Sequence, residues 1–148
     1  MYKRQALEFT GTTVADVVTP WDQVTTVKMT LPVQRVMEII NSVHYSRLPV
    51  VDASGEVCGI LQIRKYLKEY LQKGNNVRMA RLMDRVHRIG ADMPIDDVLD
   101  HLSAKKVHMA VVSAQDGHPL GIVTVEDILE ELVGEIYDEE DKEANVDE

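Results

Sequence analysis

The chain has 148 residues, of which 45% are hydrophobic and 28% are charged, so the composition predicts a globular protein and excludes a disordered one. Its net charge is −9, and this charge is concentrated at one end: residues 130–148 contain ten acids and one lysine, whereas residues 1–129 contain 15 acids and 15 bases. A neutral body with an acidic tail lacks the clustered Lys and Arg that attract phosphate, so we expect no binding to nucleic acid.

Two copies of one pattern follow each other along the chain, and equivalent positions are 62 residues apart. So many matches at one offset predict a structural repeat. The matched pairs include Pro32 and Pro94, Val36 and Val98, Ile40 and Leu102, Val50 and Val112, Gly55 and Gly117, Gly59 and Gly121, and Leu67 and Leu129.

The first copy starts with a predicted β segment and continues with a helix that has proline in its first turn, where a missing N–H costs little. Two apolar strands joined by a glycine-containing turn follow, and a second amphipathic helix ends the copy. The predicted elements are the strand Gln23–Met29, a helix carrying the apolar stripe Val33 to Val43, the strands Leu48–Val51 and Val57–Ile63, and a helix with Tyr66 and Leu67 on its apolar face.

The second copy has the same order of elements, β-α-β-β-α. Its predicted strands are Arg85–Ile89, Met109–Val112 and Leu120–Val125, and its last helix carries Ile128, Leu129, Leu132, Val133 and Ile136. A three-stranded sheet with one helical face is too small to bury its core alone, so we expect the two copies to face each other. The predicted fold class is therefore α/β (α+β). We divide the chain into a lead-in (residues 1–15), repeat 1 (16–73), repeat 2 (79–136) and an acidic tail expected to be disordered (137–148).

Three segments carry a resemblance to a known family: Asp-Val-Val-Thr-Pro at 16–20, Ser-Arg-Leu-Pro-Val-Val-Asp at 46–52 and Gly-Ile-Val-Thr-Val-Glu-Asp at 121–127. They resemble the tandem CBS domain pair, or Bateman module. Residues 125–136 with the acidic tail look like the CorC/HlyC (CNNM-like) group of magnesium and cobalt transport-associated proteins. The resemblance implies two repeats packed face to face around a pseudo-two-fold axis. It also implies a cytosolic regulatory segment of a membrane protein.

In this family a Gly-x-x-Thr-x-x-Asp pattern binds adenosine nucleotides, and Gly121, Thr124 and Asp127 match it. An Asp carboxylate can accept hydrogen bonds from both ribose hydroxyls, and such charge-assisted bonds are strong. Glycine at 121 would let the backbone lie close to the ligand. The same Thr and Asp also fit a helix capping box, and the two roles are compatible.

The resemblance assigns the rest of this pocket to the opposite repeat. Arg47 is the residue expected to meet phosphate, because its planar guanidinium suits phosphate oxygens. The positions that match the family's pocket there are Val24 and Thr25 on the first β segment, and Tyr45, Ser46, Arg47 and Pro49 at the start of the next strand.

The equivalent positions of the first copy are Gln62 and Lys65, where the pattern expects Thr and Asp. Lysine cannot accept hydrogen bonds from a ribose diol. We therefore expect one working nucleotide site and one vestigial site. The expected ligand is ATP or AMP. Whether Mg²⁺ accompanies it, bridged to the phosphates, is left open.

The sequence fits other classes of function less well. No Walker loop is present and the five histidines show no paired ligand spacing, so we expect no enzyme and no catalytic or metal-binding residues. Cys58 is the only cysteine, which excludes an intrachain disulfide, and its apolar strand predicts that it is buried. No apolar run approaches the ~20 residues of a membrane span, so the segment is expected to be soluble.

Two alternatives stay open at this point. The first is a dimerisation or structural module with no working ligand site. The second is weak Mg²⁺ sensing by the acidic tail. The resemblance implies a homodimer through the CBS pairs and an attached or associated membrane domain, which places the segment at the cytoplasmic face of a membrane or in the cytoplasm.

Overall fold

A computed structural model describes the backbone of residues 11–147 and the side chains of residues 11–136. Contacts divide the chain into two compact units: unit 1 comprises the residues up to Val24 and those from His87 onward, and unit 2 comprises Thr25–Val86. In chain order, the elements are β1 (Thr19–Pro20), β2 (Val27–Lys28), α1 (Val33–Ser42), β3 (Arg47–Val51), β4 (Val57–Gln62), α2 (Ile63–Lys73), β5 (Met83–Asp84), β6 (Arg88–Gly90), α3 (Ile95–Lys105), β7 (Met109–Ser113), β8 (Pro119–Thr124) and α4 (Val125–Asp147).

Each unit contains one mixed sheet. In unit 2 the strand order is β2-β3-β4-β5, and in unit 1 it is β1-β8-β7-β6. The strand that precedes the first helix of each repeat pairs in parallel with the next strand, β2 with β3 and β6 with β7. All other pairs are antiparallel. Two sheets and four helices in this order confirm the predicted mixed α/β class.

Each sheet has four strands, and the prediction of three strands was wrong. The fourth strand of each sheet is a two-residue segment that belongs to the other repeat in sequence: β1 joins the sheet of repeat 2, and β5 joins the sheet of repeat 1. Thr19 pairs with Ile122 in unit 1, and Met83 pairs with Leu61 in unit 2. Two residues are too few to show an alternating apolar pattern, so these edge strands could not be predicted from the sequence.

The predicted first strands are also shorter than expected. Within Gln23–Met29 only Val27–Lys28 is a strand, because residues 21–23 form a 3-10 turn in which the N–H of Val24 bonds to the carbonyl of Trp21 at 3.1 Å. Within Arg85–Ile89 the strand begins only at Arg88 and continues to Gly90.

Proline caps the first helix of each repeat, one position before the first turn in which it was predicted, whereas α2 and α4 begin at Ile63 and Val125, the last residues of the predicted strands. Pro32 precedes α1 and Pro94 precedes α3, each with an extended backbone whose carbonyl accepts the first helical hydrogen bonds. Val36 is fully buried on α1, and Met37 and Ile40 pack against the same core. The predicted apolar stripe is therefore the buried face of this helix.

The turn between β3 and β4 is closed by Asp52. Its Oδ1 accepts hydrogen bonds from the Ser54 hydroxyl at 2.7 Å and from the backbone N–H groups of Ser54 and Glu56 at 2.9 and 3.0 Å. These bonds lower the pKa of Asp52, and the bond from the Ser54 hydroxyl contributes most. Gly55 supplies the φ of 89° that this turn requires, and Gly117 supplies 95° in the second copy.

Each unit has its own core of aliphatic side chains, consistent with the low aromatic content. In unit 2 the core lies around Val36, Leu48, Val50, Leu61 and Tyr66. In unit 1 it contains Val14, Ile89, Ile95, Val98, Leu102, Ala110, Val112, Val123 and Ile128. Val14, from the end of the predicted lead-in, therefore belongs to the core of repeat 2, and its N–H bonds to the carbonyl of Met93 at 2.9 Å.

Helix α4 differs from the expected end of repeat 2, since its backbone is helical to Asp147 where the acidic run predicted a disordered tail. Glu, Lys and Ala favour helix, and the helix continues from a first half that is anchored to the core by the buried Ile128. The side chains of residues 137–148 and all of residues 1–10 lie outside the described residues.

Candidate functional site

Thr124 and Asp127 form a reciprocal capping box at the start of α4. The N–H of Asp127 donates to Thr124 Oγ1 at 3.1 Å, and the N–H of Thr124 donates to Asp127 Oδ2 at 3.3 Å. Both residues are half-buried. The predicted capping role is thus present.

This capping box leaves one hydrogen-bond acceptor and one donor available to a ligand. Among the described residues, Asp127 Oδ1 has no hydrogen-bond partner, and the Thr124 hydroxyl hydrogen is not donated. Asp127 can therefore accept further hydrogen bonds and Thr124 can donate one, at the end of a helix whose N–H dipoles favour anions. A sugar diol beside a phosphate fits this donor and acceptor set.

Gly121 has a role that differs from the one predicted. A Cβ at this position would lie 2.1 Å from the carbonyl oxygen of Thr19 and 2.7 Å from Val18 Cγ2. The space beside Gly121 is therefore filled by β1, with which it pairs through Pro20, and not kept free for a ligand. Glycine is needed here because two backbones approach closely.

The unit 2 candidates Tyr45, Ser46 and Arg47 come together along one cavity of about 600 Å³. The Ser46 carbonyl accepts the first N–H of α2, from Ile63, at 3.0 Å, and this bond fixes the start of β3 against the start of that helix. Arg47 is half-buried and makes no ion pair with any described residue. Its guanidinium is therefore available to an anion.

The remaining candidates, Val24, Thr25 and Pro49, differ in their burial. Pro49 is buried, on the face of β3 opposite to the core residues Leu48 and Val50. Val24 ends the 3-10 turn as the last residue of unit 1, and Thr25 is the first residue of unit 2; both are half-buried. Thr124 and Asp127 belong to unit 1, whereas Tyr45, Ser46, Arg47 and Pro49 belong to unit 2.

In the first copy, the positions equivalent to Thr124 and Asp127 are held by an internal carboxylate. Gln62 Nε2 donates to Asp84 Oδ2 at 2.7 Å, and Lys65 Nζ lies 3.6 Å from Asp84 Oδ1. Asp84 was not among the predicted residues, because its partners are more than 18 residues away and it reaches them only through the pairing of β5 with β4. Both groups that replace the family's Thr and Asp are thus already partnered.

Cys58 is exposed, so the prediction that it is buried was wrong. It alternates with the buried Val57 and Gly59 on β4, and its thiol lies 3.9 Å from Met29 Sδ. Partial desolvation raises the pKa of the Cys58 thiol, and the negative charge of Asp52 raises it further. The thiolate is disfavoured, which agrees with an unreactive cysteine.

Within residues 11–136, no group of three or more His, Cys, Asp or Glu side chains is arranged to hold a metal ion. No helix in the described part combines the length and the apolar composition needed to cross a membrane.

The sequence profile of the CBS domain family matches the chain twice, at residues 14–71 and 79–134. The chain is a CBS domain pair. The CBS pair has 28% identity over 142 residues to the UPF0053 protein YugS of Bacillus subtilis, covering 95% of the chain and 33% of YugS. It thus spans about a third of this curated relative.

Solved structures give the same result. A CBS domain of the bacterial CNNM/CorC family Mg²⁺ transporter, in complex with ATP, matches with a TM-score of 0.80 and 27% identity, covering 87% of this chain and 92% of that one. A CBS-domain pair from Klebsiella pneumoniae with bound AMP shares the fold, with a TM-score of 0.74 and 21% identity over 82% of this chain and 98% of that one. The predicted CBS pair related to the CorC/HlyC (CNNM-like) group is confirmed.

Proposed function

We propose that this CBS pair is a regulatory module that binds an adenosine nucleotide, ATP or AMP, and that Asp127 holds the ribose. The observation that carries the proposal is the capping box at the start of α4, in which one Asp127 carboxylate oxygen and the Thr124 hydroxyl stay available. The ATP complex of the CNNM/CorC CBS domain and the AMP complex of the Klebsiella CBS pair support the choice of ligand.

The residues of unit 2 would supply the second set of contacts. Arg47 has no ion pair among the described residues and would meet phosphate, with the Ser46 hydroxyl and the Tyr45 ring beside it. Val24 and Thr25 would contribute through the extended backbone at the unit boundary. Pro49 is buried and would shape the start of β3 more than contact the ligand.

We expect one nucleotide per chain. The equivalent groups of the first copy, Gln62 and Lys65, are bound to Asp84 and offer no free carboxylate. Mg²⁺, where it takes part, would enter bridged to the nucleotide phosphates, because the described residues form no metal-binding group of their own.

Relatives support a proposal for the role in the cell. Because one related CBS domain belongs to a CNNM/CorC family Mg²⁺ transporter, and the chain spans about a third of YugS, we propose that such a pair acts as a segment of a longer ion-transport or ion-homeostasis protein with a membrane domain, at the cytoplasmic face of the membrane. We further propose that it self-associates as a homodimer and that it regulates its attached domain without catalysing a reaction.

Calorimetric titration of the chain with ATP, AMP and ADP, each with and without MgCl₂, tests the nucleotide site. We expect saturable heat with a stoichiometry of one. Asp127→Asn keeps an oxygen that caps the helix but removes the charge, so affinity should fall about 10- to 100-fold, as expected for hydrogen bonds to a charged group. Asp97→Asn removes an exposed acid from the first turn of α3 and is the matched control.

A second candidate function is a structural module with no ligand site, favoured by the fact that Thr124 and Asp127 already satisfy each other at the helix end. Absence of heat with all three nucleotides would favour this role and overturn the first. Equal affinity of Asp127→Asn and the wild type would show that nucleotide binds elsewhere.

A further inference from the structure

The positive charge of the chain is concentrated in unit 2. Residues 25–86, which form this unit, contain ten Lys and Arg against five Asp and Glu. The remaining residues of the chain contain six Lys and Arg against 20 Asp and Glu. An anionic surface would therefore attract unit 2 and repel unit 1.

Three arginines place part of this charge in the segment that connects the two repeats, residues 74–86, which we call the connector. Arg78, Arg81 and Arg85 lie within eight residues of the chain, and all three are exposed. None of them makes an ion pair with any described residue. Asp84 is the only acid of the connector, and its carboxylate is already bonded to side chains of the first copy. The three guanidinium groups are therefore not neutralised by the described residues.

The apolar side chains of the connector are anchored in the core of unit 2. Met79 is buried, and Val77 and Leu82 pack against the same core. The N–H of Arg81 bonds to the carbonyl of Arg78 at 3.1 Å within a 3-10 turn, and the strand β5 that follows pairs with β4. These contacts fix the backbone that carries the arginines, so the connector presents a defined cationic surface.

The spacing of the arginines suits several phosphate groups rather than one. A guanidinium binds phosphate oxygens through two parallel N–H groups. In a 3-10 turn the rise is about 2 Å per residue, so Arg78 and Arg81 are about 6 Å apart along the chain. Arg81 and Arg85 are at most about 14 Å apart, which is the reach of four extended residues. One small anion cannot neutralise all three, whereas a surface that carries many phosphates can.

Among polyanions, the connector favours a lipid bilayer over a nucleic acid. Proteins that bind single-stranded nucleic acid combine basic residues with aromatic side chains on which the bases stack, and residues 74–86 contain no aromatic residue. The membrane attachment proposed above would keep the connector within reach of the cytoplasmic leaflet, whose anionic lipids attract basic segments.

We propose that Arg78, Arg81 and Arg85 dock unit 2 on the phosphate headgroups of an anionic membrane. The inference rests on the membrane-attached role proposed above and names the surface that meets the bilayer. Each basic residue close to an anionic leaflet strengthens binding about fivefold, so three of them strengthen it about 100-fold. The contact is electrostatic and weakens as salt is added, because the Debye length is only about 10 Å at 0.1 M ionic strength.

Co-sedimentation of the chain with lipid vesicles tests this surface. At low salt, vesicles of equal parts phosphatidylglycerol and phosphatidylcholine should bind the chain, and vesicles of phosphatidylcholine alone should not. Replacing Arg78, Arg81 and Arg85 together with Gln should lower the affinity for the anionic vesicles about 100-fold. Replacing the same three with Lys keeps the charge and should retain most of the binding. A Gln variant that binds like the wild type would overturn the proposal.

A control variant separates the local charge of the connector from the net charge of the chain. Lys28, Arg35 and Lys105 are exposed bases outside the connector, and replacing all three with Gln gives the same net charge as the connector variant. The control should lose less than about fivefold in affinity, the factor for one base near a leaflet. An equal loss in both variants would show that only net charge acts, and would refute a docking surface in the connector.

Two competing ligands are tested in the same assay. Inorganic phosphate at constant ionic strength should leave the chain on the vesicles, and its complete release would show a site for a single phosphate ion instead. Binding of a labelled single-stranded RNA to the wild type but not to the connector variant, with the vesicles unbound, would assign the surface to nucleic acid.

The vesicle assay and the nucleotide titration fail independently. A wild-type chain that ignores anionic vesicles at low salt overturns the docking surface, while calorimetry with ATP or AMP still reports on Asp127. Heat with neither nucleotide, together with vesicle binding that the connector variant loses, would overturn the nucleotide site and leave the docking surface in place.

Discussion

Replacing Gly121 with alanine should destabilise the protein strongly, because the added methyl group has no room. Its Cβ would lie 2.1 Å from the Thr19 carbonyl oxygen and 2.9 Å from the Thr19 carbonyl carbon, both of them backbone atoms of β1. An ordinary contact needs about 3.5 Å, so β1 must move by more than 1 Å or leave the sheet. Overpacking of this kind costs about 3 kcal/mol.

At about 2.1 cal/mol/K of unfolding entropy per residue, this loss corresponds to a fall in Tm of about 10 °C for a chain of this length. Thermal and urea unfolding followed by circular dichroism give the difference in free energy. Loss of the β1–β8 pairing should also expose the N–H groups of β8 at Ile122 to hydrogen exchange.

Two other glycines serve as matched controls. A Cβ at Gly59 would meet the Met83 side chain at 2.7 Å, and since a methionine can move more easily than a backbone, Gly59→Ala should cost about 1–2 kcal/mol. Gly134 has no atom within 4 Å of its Cβ position, and Gly134→Ala should stabilise α4 by about 0.5–1 kcal/mol. A Gly121→Ala variant as stable as Gly134→Ala would refute the close approach of β1.

Three further predictions concern the capping box, the Asp84 cluster and the thiol. Thr124→Ala removes the cap acceptor and should lower the free energy of unfolding by about 1 kcal/mol in urea; an unchanged midpoint would contradict the capping bonds. Asp84→Ala releases Gln62 and Lys65, but it should lower the free energy of unfolding by less than about 1 kcal/mol, because the ion pair is exposed. Calorimetry of this variant should still give one nucleotide per chain. A second bound nucleotide would show that Asp84 blocks a working site. Cys58 should react with a disulfide reagent more slowly at neutral pH than free cysteine does, because its raised pKa disfavours the thiolate. The reaction rate of Cys58 should also begin to rise at a higher pH than the rate of free cysteine. A reaction faster than that of free cysteine at neutral pH would contradict the raised pKa.

The repeat and the order of its elements could be predicted because they depend on local patterns. The apolar stripe of α1 shows helical spacing, and the paired glycines at 55 and 117 mark turns that need positive φ. These signals lie within a few residues of each other. The sequence therefore contained enough information for both helices and for the central strands of each copy.

The edge strands, and the contacts they bring, could not be predicted in the same way. Asp84 reaches Gln62 and Lys65 only because β5 lies next to β4, and Gly121 is required only because β1 lies next to β8. Each pairing joins residues that are far apart in sequence through a strand of two residues. Such non-local contacts leave no periodic pattern in a single sequence.

The candidate site was predicted only in part for a related reason. The spacing of Thr124 and Asp127 fits both a ligand site and a capping box, and the structure contains the capping bonds. The exposed state of Cys58 and the buried state of Pro49 depend on which face of a strand meets the core. In strands with apolar residues at nearly every position, the sequence does not distinguish the two faces.

A crystal structure of the chain grown with ATP and MgCl₂ tests the central claim most directly. The account predicts the ribose hydroxyls within hydrogen-bond distance of the Asp127 carboxylate, the phosphates within reach of the Arg47 guanidinium, and no second nucleotide whose ribose is held by Gln62 and Lys65. Nucleotide bound away from Asp127 in fully occupied crystals would contradict it.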